Sequence, residues 1–229
     1  MRHDKREVRR TPIVLAPRRG AGMVDVMFAL GITALILAGM AQIQSDTNRD
    51  MKAENIAENM TNIGRIASSY IQSNYATLNS QIGVGGKPIE IPLSNDSSFM
   101  GIGDLSTVAS LPSNYQGQLP LGQTLHFLVR NVASSGNSPQ HLEGMLVTTG
   151  TQQMADRAIG LALNKMGTSG GGIMARPPTG YSTSTIHGAY GGWSYPATEW
   201  ATAGGVGAAP GHIMLTLNSV SPQTSPYLS

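Results

Sequence analysis

Cysteine is absent from the 229 residues, which removes thiolate metal ligands, cysteine nucleophiles and disulfide staples from consideration. Export is not excluded, because a domain with a sufficient core needs no disulfide. Formal charge is scarce: Asp, Glu, Lys and Arg make up 12% of residues, about half the ~25% usual for globular chains. Aromatics contribute 5%, while glycine is plentiful at 28 residues. These absences predict a loop-rich protein with one modest core rather than two large domains.

The charge that is present lies unevenly. Residues 1–20 hold seven Lys or Arg against two Asp or Glu, a balance of +5, and the remainder holds eight against eleven, a balance of −3. A basic head therefore precedes a mildly acidic body. Outside that head there is no electrostatic footprint for nucleic acid, and no nucleic-acid partner is expected. The position of the head, directly before an apolar run, gives it a topological role.

No formal charge occurs from Val26 to Ser45, and VMFALGITALILAGMA is the apolar heart of that run. At about 1.5 Å per residue such a helix covers the ~30 Å hydrocarbon core, so a membrane span is expected over about residues 24–45. Arg9, Arg10, Arg18 and Arg19 place the preceding side in the cytoplasm and everything after residue 46 outside. No later segment reaches that length, which predicts a single-pass or cleaved protein. Asp25 stands at the front edge of the run. A carboxylate costs about 2.5–3.5 kcal/mol at mid-membrane, so it lies at the rim or is needed there. Three readings compete: an uncleaved signal anchor, a secretory signal cut after Ala41, and a cut ahead of the apolar run. The last, placed after Gly20, leaves Ala21 as the new N-terminus and Asp25 as its fifth residue; a cut after Gly22 would make the acid third.

Beyond Asp46, apolar residues recur at Met51, Ile56, Met60, Ile63, Ala67, Tyr70, Ile71, Leu78 and Ile82. Steps of three and four mark a helical stripe, with Asp50, Lys52, Glu54, Glu58 and Arg65 on the wetter faces. Proline is missing from Arg18 to Lys87. One helix from about Met23 to Tyr75 is predicted, about 80 Å long, with Gly31, Gly39 and Gly64 as places to bend. A membrane-anchored coiled coil is the bland alternative, but the stripe lasts barely four heptads. The chain thus divides into a basic leader (1–20), a long helix (21–82) and a head (83–229).

In the head, GVGGKPIEIPLSNDSS (83–98) reads as a loop and a weak helix is expected near 103–110. TLHFLVRNV (124–132) and HLEGMLVTTG (141–150) read as antiparallel strands joined by SSGNSPQ. MADRAIGLALNKMG (154–167) is an amphipathic helix ending on Gly167. A Gly-rich patch, GTSGGG, follows; IMLTLN (213–218) is a last strand and SVSPQTSPYLS a polar tail. The predicted fold class is α+β, a long N-terminal helix packed on a small antiparallel sheet.

Catalytic signals are lacking. His126, His141, His187 and His212 are scattered without ligand spacing. HLEGM lacks the second His of a zincin, and GVGGKP lacks the first Gly and the Ser/Thr of a phosphate loop. No catalytic, cofactor or metal residue is nominated, and the chain is not expected to be an enzyme. Tyr190, Trp193, Tyr195 and Trp200 cluster beside Gly191, Gly192 and Pro196. They form either an exposed surface for a partner or glycan, or the lid of a small core.

The short basic leader ending in Gly20, followed by a hydrophobic helix with an acid fifth, resembles the class III signal of type IV prepilins, with Asp25 where most of that family has Glu. HGAYGGWSYPATEW (187–200), LEGMLVTTG, SYIQSNYATL, LPLGQTLHFLVRNV and GGGIMARPP resemble the N-terminal constant region of shufflon-type minor pilins, the PilV-like proteins of conjugative type IVb pili. The resemblance covers about Arg18 to Leu217. It implies a type IV pilin-like fold and a minor pilin that helps mating cells engage recipients. It implies removal of the leader and methylation of Ala21 by a prepilin peptidase. Other pilin subunits, an inner-membrane assembly platform and a recipient-cell surface would be partners. The prepilin would sit in the inner membrane and the mature subunit in an extracellular pilus. Two departures stand out. Cysteine is missing where such pilins often clamp the C-terminal region, and the chain stops about a dozen residues after the last predicted strand, so the variable adhesive segment is expected to be absent or very short. A secretion pseudopilin and a single-pass envelope protein of other function remain as alternatives.

Overall fold

A computed structural model of the chain describes residues 22–94, 96–108, 111, 115–136 and 138–217. The expected leader and its cut at Gly20–Ala21 lie outside the described residues, as does the polar tail. The chain divides into two compact units that meet between Ser45 and Asp46.

Helix α1 runs Met23–Ser73. Its part in the first unit is apolar, and Met23, Val24, Met27, Phe28, Leu30, Leu35, Leu37, Met40 and Ile43 are all exposed. Such a surface is unfavourable in water. By length and composition α1 is suited to crossing a membrane.

In the second unit the helical stripe is the core. Ile56, Met60, Ile63, Ala67, Tyr70 and Ile71 are buried, as the spacing predicts. Met51 is not: its side chain is 51% exposed, while Ala53 and Ala57 take the inward positions. The helix is interrupted at Asn74, whose backbone leaves helical geometry (φ −112°, ψ 18°) while its N–H and side-chain amide both donate to the Tyr70 carbonyl (3.1 and 3.0 Å). A short helix α2 (Tyr75–Gln81) follows at once. Gly64 is no bend. A Cβ there would lie 2.5 Å from Leu215 Cδ2, so its role is close approach of helix to sheet.

The remaining elements in chain order are β1 (Ile89–Ile91), α3 (Leu105–Val108), β2 (Gln118–Leu119), β3 (Gln123–Val132), β4 (His141–Thr149), α4 (Asp156–Met166), β5 (Gly170–Ile173), β6 (Thr185–Gly188), β7 (Ser194–Pro196) and β8 (His212–Thr216). All strands join one antiparallel, curled sheet in the order β1-β3-β4-β8-β5-β6-β7, with β2 also on β3. The class is α+β, as expected, but among the described residues the sheet has eight strands and is not small. Of the added strands, β1 lies between Pro88 and Pro92 in the segment read as a loop, and β5 begins in the Gly-rich patch, where the sequence pattern predicts no element.

Alternation along β3 and β4 produces two cores. Leu125, Phe127, Val129, Leu142 and Leu146 face the helices, joined by Ile213 and Leu215 of β8; Tyr70 meets Phe127 edge-on with centroids 6.2 Å apart. Leu128, Met145, Val147, Ile173, Ile186 and Met214 form a second cluster, closed by Trp200. Helix α4 ends at Gly167, whose φ of +67° favours glycine. At its other end the Asp156 carboxylate accepts from the Ala175 and Arg176 amides (2.9 and 3.2 Å), tying the helix to the strand that follows.

Candidate functional site

Two regions carry the residues singled out in the sequence. The first is the start of α1, where Asp25 is the third helical residue. A carboxylate in a first turn meets the positive end of the helix dipole, worth about 0.3–1 kcal/mol when exposed.

The second is the aromatic segment, whose four rings have different fates. Trp200 is 1% exposed and lies within the second core, so it is not a surface residue; its Nε1 is buried without an acceptor. Tyr195 packs edge-on against Trp200 (centroids 6.0 Å) and tilts against Trp193 (5.6 Å). Trp193 is half-buried and donates Nε1–H to the Thr168 carbonyl (2.9 Å). Tyr190 is 74% exposed, the one ring of the four fully at the surface. The segment therefore closes the second core with three rings and displays the fourth.

Arg130 of β3 organises the closed part. Its guanidinium lies 5.1 Å from the Tyr195 centroid and 4.7 Å from that of Trp200. It also donates to Glu143 (2.7 Å) and Glu199 (2.8 Å). Burial alone would lower the Arg130 pKa, but the hydrogen bonds to Glu199 and Glu143 outweigh that and raise it. Burial, and then the Glu143 carboxylate, push the Tyr195 phenol above its ordinary value. Cation and rings thus form a desolvated stack, the setting in which such contacts are strongest. Nothing in the spacing of the sequence singles out Arg130; only the pairing of β3 with β4 brings it opposite Glu143.

The histidines are spread over the fold. His126 contacts Glu90 and Thr149 (2.6 and 2.8 Å), and His141 contacts Glu143 (3.1 Å). His212 is buried, which lowers its pKa. His187 meets Tyr181 edge-on at 4.5 Å. Among the described residues no group of three His, Asp or Glu side chains is placed to hold a metal ion.

A cleft of about 420 Å³ opens between α4 and the 174–191 region, bordered by Tyr181, His187 and Tyr190. Tyr181 and Asn164 escape a sequence reading, because neither belongs to a motif and α4 presents Asn164 only through its helical phase. Comparison with protein-family models, curated proteins and solved structures finds no match.

Proposed function

We propose that the chain is the prepilin form of a minor subunit of a type IVb conjugative pilus, with a structural and adhesive role in pilus assembly and mating-cell contact. The observation that carries this reading is the division of labour along α1. Its first part is apolar and exposed, and its second supplies the core of an α+β head. A pilin needs that combination: one stretch of helix stored in the bilayer and later packed in a filament, and another on which the head is built.

The sequence adds the acid at Asp25 and the basic leader ending in Gly20. Prepilin peptidase would cut there and methylate Ala21. In the filament the new amine of one subunit would lie against the Asp25 carboxylate of a neighbour. A charge is tolerated in an apolar bundle when it is paired. Partners would be other pilin subunits, the peptidase, the inner-membrane assembly platform and a recipient-cell surface. Before assembly the chain would sit single-pass in the inner membrane with its N-terminus in the cytoplasm.

The first residue of the mature protein tests this. Ala21, together with recovery of the protein in sheared filaments, is the expected result. Gln42 would indicate ordinary secretion and Met1 an uncleaved anchor, and either one overturns the proposal.

A further inference from the structure

We propose that the cavity between α1 and the start of α4 holds the headgroup of an anionic phospholipid, of the phosphatidylglycerol type, in the bilayer that α1 crosses. This rests on the membrane part of the reading above, and on neither cleavage nor filament assembly. The cavity has a volume of about 470 Å³ and is bordered by Arg49 of α1, Leu121, residues 152–156, Ala158, Ala175 and Arg176. All of these belong to the second compact unit.

Charge selects an anion. Arg49 and Arg176 are both exposed, and neither makes an ion pair among the described residues. The acids around them are committed. The Asp156 carboxylate accepts from the Ala175 and Arg176 amides (2.9 and 3.2 Å), and Asp50 pairs with Arg157 (2.9 Å). Asp46, one turn ahead of Arg49 on α1, forms no ion pair with it. Two guanidiniums at one cavity are thus left without a counter-charge. A phosphodiester supplies one, and the planar fork of an arginine meets two phosphate oxygens at once.

Lining and depth select a lipid. Met154 and Ala158 on the cavity wall are buried, at 2% and 4% exposure. Leu121 joins them from a backbone at φ +67°, a region that disfavours a bulky side chain. A small soluble anion gains nothing from apolar walls, whereas a lipid phosphate carries a glycerol and acyl stem that does. Gln152 and Gln153, also on the border, offer amides to the hydroxyls of a glycerol headgroup. The uncharged run Val26–Ser45 spans about 30 Å as a helix, the thickness of the hydrocarbon core. Arg49 is the first cation beyond it, about 6 Å further along α1. The headgroup layer on one side of a bilayer is about 5–8 Å deep, so Arg49 stands at the level of the phosphates.

The test uses the full chain in nanodiscs whose phosphatidylcholine is replaced stepwise by phosphatidylglycerol, read through arginine Nε–H NMR signals. The basic residues of the leader answer to the same lipid, so the readout is taken residue by residue. The Arg49 and Arg176 signals should shift and level off, while that of Arg65, bonded to Asn62 on α1, should stay. Arg49→Gln and Arg176→Gln should each weaken the response of the other arginine about fivefold, from ~1 kcal/mol per basic residue at an anionic surface. Near-UV circular dichroism checks that both variants remain folded. Glycerophosphoglycerol, the same headgroup without acyl chains, should leave both signals in place when added to phosphatidylcholine nanodiscs. The proposal is overturned if the two signals ignore phosphatidylglycerol or if each variant leaves the other arginine's response unchanged. It is also overturned if glycerophosphoglycerol or a poly-glutamate peptide saturates the signals in place of the lipid. A chain extracted by alkaline carbonate would overturn the membrane reading and the site together; a chain that resists extraction yet shows no lipid response overturns the site alone.

Discussion

The indole of Trp193 fills the space that a side chain at Gly171 would need. A Cβ on Gly171 would sit 2.2 Å from Trp193 Cη2 and 2.6 Å from Cζ2. Gly188, paired with Gly171 across β5 and β6, is blocked by the same ring at 2.6 Å from Cε2 and Nε1. Two strands thus present a bare backbone patch, and one tryptophan covers it while donating to Thr168. The Gly-rich run and the aromatic motif, far apart in the chain, are two halves of one contact.

Gly171→Ala is therefore expected to destabilise the head by about 2–3 kcal/mol, as an overpacked core position does. The obstacle is a rigid ring system, not the tip of a flexible chain. Chemical denaturation of Gly171→Ala with and without Trp193→Ala makes the test a double-mutant cycle. In the Trp193→Ala background the added cost should fall below about 1 kcal/mol. An unchanged cost would mean that the glycine is needed for something other than the indole.

The same contact shows where reading the sequence stops. Strands β3, β4 and β8 and helix α4 announce themselves through runs of Leu, Val, Ile and Met at the right period, and α1 through its stripe and the missing prolines. Strand β5 cannot, because Gly170, Gly171 and Gly172 have no side chains to form a pattern. They become a strand because β8 and β6 pair on both sides and because Ile159 and Trp193 need the room. β1, short and between prolines, is an edge strand made by its partner β3. The aromatic motif is visible in the sequence, yet which ring is buried depends on the path of the loop. Trp200 goes in and Tyr190 stays out.

Arg130 makes a prediction about charge. Its side chain is 13% exposed and that of Glu143 17%, so removing the cation leaves a largely desolvated carboxylate with only its His141 contact (3.1 Å). Arg130→Met should cost about 2–3 kcal/mol, below the 3–5 kcal/mol of a fully buried pair because Glu199 remains wet. Arg130→Lys should recover only part of it. An ammonium cannot reach both carboxylates with a fixed fork or stack flat on Trp200. Equal stability of the Lys variant and the parent would refute the stacked-fork account.

Among the phenols that burial pushes up, Tyr70 and Tyr115 carry the largest part of the alkaline response. Tyr70 donates to the Gly103 carbonyl (2.6 Å), and burial, with a smaller contribution from Asp104, pushes its pKa up to about 12. Burial does the same for Tyr115, also to about 12. The unfolded phenols ionise near 10, so the unfolded state releases these protons first. The stabilising contribution is complete below pH 10 and is lost as pH rises from about 10 to about 12. Denaturant midpoints across that range should fall, and Tyr70→Phe should flatten part of the fall. At neutral pH the same variant should cost about 1–2 kcal/mol through the unpaired Gly103 carbonyl.

His212 works in the opposite direction. Burial is the chief reason its folded pKa is lowered, against a weaker raising effect from a bond to the Gly150 backbone. Its contribution is present above the ordinary histidine value of 6.5 and is lost as pH falls below it, because the unfolded imidazole takes up a proton that the folded one refuses. Stability of His212→Gln, followed from neutral to mildly acidic pH, should decline less than that of the parent. A parallel decline would remove His212 from the acid response.

Asp25 brings the membrane and the proposed filament into one experiment. Near the end of an apolar run a carboxylate costs little on insertion, because the full ~2.5–3.5 kcal/mol applies only at mid-bilayer. Asp25→Ala should therefore leave membrane insertion intact, measured as resistance to alkaline carbonate extraction. Assembly is a different matter. If the amine of an adjoining subunit is desolvated against this position, its partner's removal leaves a bare cation in an apolar bundle, a loss of about 3–5 kcal/mol per contact. Filaments recovered by shearing should then be strongly depleted in the variant, while Asp25→Glu, which keeps the charge, should retain them. Normal incorporation of Asp25→Ala would show that the acid has no partner and would leave its place in the run without a purpose in assembly.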